Sequence, residues 1–172
     1  MKIVSGGLDD PRVQALLEHH ASTARAQTAR GSEHALDLEG LRAPEIRFWS
    51  AWDGNTLAGV GALRRLSESH GEIKSMHTAE SHRGMGVGSA MVRHIIKAAL
   101  ASGMTRLSLE TGSWPYFNAA RALYRKHGFT ECAPFGDYAA DANSVYMMKE
   151  LPAAGPARSE PTTRNTDRSE RP

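Results

Sequence analysis

The sequence predicts one α/β domain, a mixed central β-sheet with flanking helices. Three observations carry that prediction. The 172 residues are fewer than the length at which a single core stops growing, so one domain is the default. A content of 40% hydrophobic and 23% charged residues is that of a globular chain, and excludes a collagen-like, disulfide-framework or wholly disordered one. Along the chain, short apolar runs of strand type alternate with longer runs of helical spacing, without an internal repeat.

Ile3 and Val4 give a short first strand. Asp9, Asp10 and Pro11 supply an N-cap and a proline in the first helical turn, and Val13, Leu16, Leu17 and His20 follow at helical spacing in a helix that fades near Gly31. Residues 33–41 are read as a short second helix ending before Pro44. Residues 46–52 form a strand, 53–55 a hairpin turn and 56–63 the returning strand. A polar loop over 64–71 leads to a strand at 72–78, in which period-two alternation places Glu72, Lys74, Met76 and Thr78 on one face. A loop and a glycine-rich stretch then open a helix with Val87, Met91, Val92, Ile95 and Ala99 on its apolar face, closed by Gly103. A strand at 106–111, a helix at 118–127 stopped by Gly128 with Phe129 packed behind it, and strands near 130–133 and 144–151 complete the domain.

Residues 152–172 stand apart. They hold four of the eight prolines, four arginines, three acids and no apolar side chain larger than alanine, so they cannot bury enough surface to offset their ordering entropy. The expected organisation is a domain over 1–151 and a disordered Pro/Arg-rich tail over 152–172. Without the tail, 17 basic and 16 acidic residues remain, and the domain is nearly neutral. Its charge therefore predicts no nucleic-acid partner. The longest apolar run, 57–63, is too short to span a bilayer, and the N-terminus leads into glycines rather than a signal-peptide core, so no membrane association is expected. A single cysteine, Cys132, permits no internal disulfide and agrees with a cytoplasmic location. The eight histidines lack ligand spacing joined to cysteines, so no metal site is expected.

The strongest local signal is the run Arg83, Gly84, Met85, Gly86, Val87, Gly88, Ser89 between a strand and a helix. Glycines there let a ligand approach the backbone, and the amides and dipole of a helix start attract anions, which predicts a phosphate or pyrophosphate. A dinucleotide fingerprint would need glycine where Ser89 stands, and a Walker loop would need Gly-Lys-Ser/Thr, which is absent.

Arg83-x-x-Gly86-x-Gly88 after a strand resembles the acetyl-CoA signature of the GNAT superfamily of N-acetyltransferases. The run 120–129, with Ala120, Leu123, Tyr124, Gly128 and Phe129, resembles that family's later helix; the family's asparagine position falls on Phe117, with Asn118 one residue later. Residues 34–37 and 46–49 are similar to a bacterial subgroup of YsnE type. The resemblance implies a GNAT-type acyl-CoA N-acyltransferase fold over 1–151, with acetyl-CoA as co-substrate. Its pantetheine arm would lie between two splayed strands at 72–78 and 107–111, its pyrophosphate on the amides of Arg83, Gly84, Met85, Gly86, Val87, Gly88 and Ser89, and its arm on backbone near Met76 and Thr78.

Acyl transfer to an amine has two proton requirements: the amine must lose one and the departing thiolate must gain one. Tyr124 matches the family tyrosine, and a phenol of pKa near ~10 stays protonated at neutral pH while able to donate to a thiolate of pKa near ~8.5. Glu72 is the candidate base by family position, with Glu110 and His77 behind it. The expected reaction is direct attack by a primary amine of a small molecule on acetyl-CoA in a ternary complex, with a homodimer left open. An acceptor amine on a protein, and an acyl-CoA-binding module without catalysis, are the competing readings. Acceptor choice is expected to reside in the loops 31–44, 112–117 and 135–138.

Overall fold

Seven strands form one sheet in the computed structural model of the chain, which describes residues 1–31 and 37–153. They are β1 (Lys2–Ser5), β2 (Ile46–Asp53), β3 (Thr56–Arg65), β4 (His70–Thr78), β5 (Arg106–Gly112), β6 (Thr130–Glu131) and β7 (Ser144–Glu150), in the order β1-β2-β3-β4-β5-β7-β6. Every neighbouring pair is antiparallel except β4 and β5, which run parallel. The parallel pair requires a crossover, and α2 (Val87–Ala101) supplies it. The other helices are α1 (Pro11–Ala26), capped by the Asp10 carboxylate on the Arg12 amide, and α3 (Asn118–Lys126).

Alternation along the strands divides the core between two faces. Trp49, Leu63, Ile73, Leu107, Leu109 and Met147 pack on one face against the apolar stripe of α2. Phe48, Val60 and Ala62 pack on the other against Val13 and Leu17 of α1 and against Leu41. Deleting a fully buried side chain such as Leu107 would cost about 2–5 kcal/mol, so the sheet is a stiff base for whatever sits on it.

The helix expected at 33–41 is not what the described residues form. Residues 33–36 lie outside them, and the rest hold a turn followed by one 3-10 turn, Gly40–Arg42, in which the Asp37 carboxylate takes the Gly40 amide. α1 ends at Ala26 rather than near Gly31. The loop expected at 64–71 shrinks, because β3 and β4 continue pairing to Arg65 and Gly71. The tail residues 154–172 also lie outside the described set. Among the described residues, no helix is long and apolar enough to cross a membrane.

The correction that matters most lies in β4. Ser75 has φ +51°, and Val60 and Ala62 of β3 pair with His77 and Lys74, so two residues of β4 stand opposite Gly61 alone. This β-bulge shifts the alternation by one residue. Lys74, paired with Ala62, lies on the α1 face, whereas Met76 packs into the α2-side cluster. Glu72, Lys74, Met76 and Thr78 therefore do not share a face.

Candidate active site

The parallel ladder of β4 and β5 covers His70–Ile73 against Arg106–Leu109 and then stops, while β4 stays bonded to β3 and β5 to β7. Past that point the two strands separate. A cavity of about 530 Å³ fills the opening, lined by residues 73–78 of β4 and 110–112 of β5. Its floor continues to Leu123 and Tyr124 of α3, and its flank to His20 and Ala24 of α1 and to Thr28 beyond it.

Residues 82–89 close one end. Gly86 is the N-cap of α2 at φ +84°, in the left-handed region that favours glycine, and space is open where a Cβ would stand at Gly84 and Gly86. Gly88 answers a different need: a Cβ there would come within 3.0 Å of Leu123, so glycine lets α3 pack close to the start of α2. Val87, Gly88 and Ser89, whose amides have no acceptor within the helix, line the cavity, as an anion site requires. Of the nine residues expected to hold the coenzyme, Met76, Thr78, Arg83, Gly84, Gly86, Val87, Gly88 and Ser89 line the cavity. Met85 does not; the residue is 70% exposed. The Ser89 hydroxyl is 2.7 Å from His127 Nε2, which ties the loop to the end of α3.

Tyr124 lies at the cavity wall, its ring edge-on to Phe129. Burial, and secondarily the Glu110 carboxylate, push its phenol well above the ordinary range, so it is a firmly protonated hydrogen-bond donor. Glu110 lines the cavity from β5 and accepts a hydrogen bond from the Ser144 hydroxyl at 2.7 Å. Glu72 is placed differently. It is 1% exposed and absent from the cavity lining, and its Oε1 accepts bonds from Tyr138 at 2.6 Å and Lys74 at 3.0 Å. Asn118 accepts a hydrogen bond from Arg121, which also bonds the Gly112 carbonyl, while the neighbouring Phe117 ring lies against Gly112 in the cavity wall.

Residues 13–129 match the sequence pattern of the Acetyltransferase (GNAT) family. The chain belongs to the GNAT family of acetyltransferases. It is 49% identical over 151 residues to the N-acetyltransferase YsnE of Bacillus subtilis (strain 168), covering 88% of this chain and all of that one. It is 46% identical over 149 residues to the N-acetyltransferase YedL of Escherichia coli (strain K12), covering 87% and 94%. Among solved structures, one assigned as an acyl-CoA N-acyltransferase from Klebsiella pneumoniae superposes with a TM-score of 0.74 at 26% identity, covering 87% of this chain and 97% of that one. A Bacillus subtilis acetyltransferase in complex with CoA superposes at 0.67 and 21% identity, covering 88% and 99%. The protein is thus an acyltransferase of the GNAT family with the mixed sheet of that fold.

Two groupings in and beside this GNAT cleft do not follow from the sequence motifs, although His77 and Glu72 are each candidate bases in the sequence. His20 of α1 and His77 of β4 meet across 57 residues with Nδ1 atoms 3.1 Å apart, one donating and one accepting. Burial above all, then neighbouring histidines and, for His77, Arg83, push them down to about 4 and about 3, so both rings are neutral at pH 7. The second group is Lys74 with Glu72 and Tyr138, closed by a residue from the loop over 135–138. No short motif could have shown either, because each joins residues far apart in sequence.

Proposed function

We propose that this acyltransferase uses acetyl-CoA and transfers its acetyl group to a primary amine of a small molecule by direct attack in a ternary complex. The observation that carries the reading is the cleft between β4 and β5, with open α2 amides at one end and both a carboxylate and a phenol along its wall. The coenzyme complex of the Bacillus subtilis fold neighbour supports the donor. Arg83 and the amides from Gly84 to Ser89 would hold the pyrophosphate, with Met76 and Thr78 beside the arm. When bound, the coenzyme supplies a thioester carbon open to an amine: an N–C bond forms, the C–S bond breaks, and the proton lost by nitrogen restores the thiol.

Glu110 is the carboxylate in the cavity, and in this reading it accepts the proton of the acceptor ammonium, directly or through water. Glu72 acts through Lys74 and Tyr138 and is a positioning residue. Tyr124 donates a hydrogen bond to the departing sulfur. Its raised pKa makes full proton transfer to a thiolate uphill unless the phenolate is refilled by the proton leaving the amine, so the two transfers are coupled.

Titration with acetyl-CoA under thermal denaturation, followed by an amine panel read by thiol release, tests the proposal. A rise in melting temperature with acetyl-CoA and amine-dependent thiol release are expected. Stabilisation without turnover of any amine would leave a coenzyme-binding protein instead, and no stabilisation would remove the coenzyme itself.

A further inference from the structure

We infer that the acceptor is an amine that also carries a carboxylate, of amino-acid type, and that Lys74 receives that carboxylate. The inference rests on the acyl-transfer reading above.

The part of the cleft away from residues 82–89 is built around a buried ammonium. Lys74 stands on the α1 face of β4, its side chain is 8% exposed, and it lines the cavity. An ammonium has three N–H donors. Two are used, on Glu72 Oε1 at 3.0 Å and on the Tyr138 hydroxyl at 2.8 Å, and the third has no partner among the described residues. Leaving a buried charged donor unmet costs more than leaving a neutral one. An anionic oxygen entering the cavity would complete the set, and charge-assisted bonds of this kind are the strong ones.

The charge balance points the same way. Glu72 brings one negative charge, while Lys74 and Arg64, the latter 3.9 Å from Glu72, bring two positive ones. Tyr138 does not make up the difference, since burial and the adjacent Glu72 keep its phenol protonated. Glu110 does, its carboxylate being near enough to act on the same phenol, so the cleft is balanced as it stands and an acceptor of no net charge, a zwitterion, keeps it so.

Hydroxyls add to the donor set. Ser75, beside Lys74 at the bulge, is 9% exposed, and its Oγ is buried without a partner; so is Oγ1 of Thr28, beyond the end of α1. Both residues line the same cavity. Buried polar atoms are seldom left unpaired, so two such hydroxyls among the described residues of this cavity, one of them next in sequence to the incomplete ammonium, favour an oxygen-rich group there. Glu110, on the β5 side, supplies the opposite charge for the amino group. A zwitterion matches both walls. A decarboxylated amine would match only one, leaving Lys74 and Ser75 unmet, and sites that lose a designed hydrogen-bond partner reject such analogues strongly.

The test compares each of the standard amino acids with its amide and, where one exists, its decarboxylated amine. Thiol release from acetyl-CoA is one readout. The other is the melting temperature of the CoA complex with the corresponding N-acetyl amino acid or N-acetyl amide, which needs no turnover. In at least one series the carboxylate member should exceed its uncharged relatives at least ~10-fold in kcat/KM, the scale of one lost charge-assisted bond. It should also raise the melting temperature further. Removing both charges of the pair together in K74M/E72Q avoids stranding a buried carboxylate, and that variant should lose the preference while still binding acetyl-CoA. Amides and simple amines that are used or bound as well as the acids, or a preference that survives in K74M/E72Q, would overturn the assignment. Acetyl-CoA stabilisation with no effect of any carboxylate in either readout overturns it too and leaves the coenzyme reading standing. Failure of acetyl-CoA itself to stabilise the protein removes both.

Discussion

The two ends of the β4–β5 cleft are made in different ways. The end formed by residues 82–89 is local: consecutive residues present backbone amides, and side chains matter there chiefly where glycine removes one. The opposite end is assembled from β4, β5 and the loop over 135–138, and it works through side chains: Lys74, Glu110 and, behind the wall, Glu72 and Tyr138, with the His20–His77 pair between it and Arg83. In the proposed function the backbone cradle takes one chemical fragment, a pyrophosphate, whatever the acceptor. A side-chain wall can change its chemistry one residue at a time without disturbing that cradle, which suits a family with one donor and many acceptors.

Substitutions should keep the two ends separate. The largest effect is expected for Glu110→Gln, a loss of ~10²–10³-fold in kcat, the usual worth of a positioned base, with acetyl-CoA affinity unchanged by calorimetry. A matching loss of coenzyme affinity would mean that the ends are coupled. Gly86→Val attacks the cradle: a β-branched residue at φ +84° is strained by about 1–3 kcal/mol, so acetyl-CoA affinity should fall ~10–100-fold while the melting temperature of the free protein drops by a few degrees. Tyr124→Phe sits between the two ends and should lower kcat ~10-fold with KM for acetyl-CoA held, as expected for one hydrogen bond to a leaving sulfur; unchanged turnover across pH would remove Tyr124 from the proton path.

The smallest effect concerns stability. His20 and His77 titrate lower in the folded protein than in the unfolded chain, so below about pH 6.5 the unfolded state binds protons that the folded state refuses. Their contribution to stability is therefore complete above pH 6.5 and is lost as the pH falls toward 4 and 3. Melting temperature should decline over that interval, and His20→Gln should flatten the decline. An unaltered slope would show that the ring pair does not carry it.

The contrast between the ends also explains what could be read from the sequence. Arg83, Gly86, Gly88 and Tyr124 belong to contiguous motifs, and the helix that positions the first three follows from the apolar spacing of Val87, Met91, Val92 and Ile95, so that end and the order of elements along the chain were legible. Glu72 was legible only as a carboxylate on a strand. Whether it faces the cleft depends on Tyr138, 66 residues away, and on Lys74. The face of Met76 differs from the expected one because period-two alternation assumes an unbroken ladder, and serine at position 75 does not announce a bulge: it fits a regular strand and only rarely takes a positive φ. Of the expected helix at 33–41, the described residues 37–41 hold a turn and the start of a 3-10 turn, where a short polar segment reaches Gly40 and Pro44.

Ser75 has a wider meaning for how this chain divides its labour. Because it is an additional residue in β4, a chain one residue shorter at that point would keep Ile73 and Met76 turned toward α2 and Lys74 and His77 turned toward α1. It would retain every apolar contact that holds the strand, and its regular strand could go on pairing with β5 where the cleft now opens. The apolar alternation of the sheet is thus indifferent to this residue, while the cleft of the proposed function opens beside it, so selection for regular pairing alone would discard it.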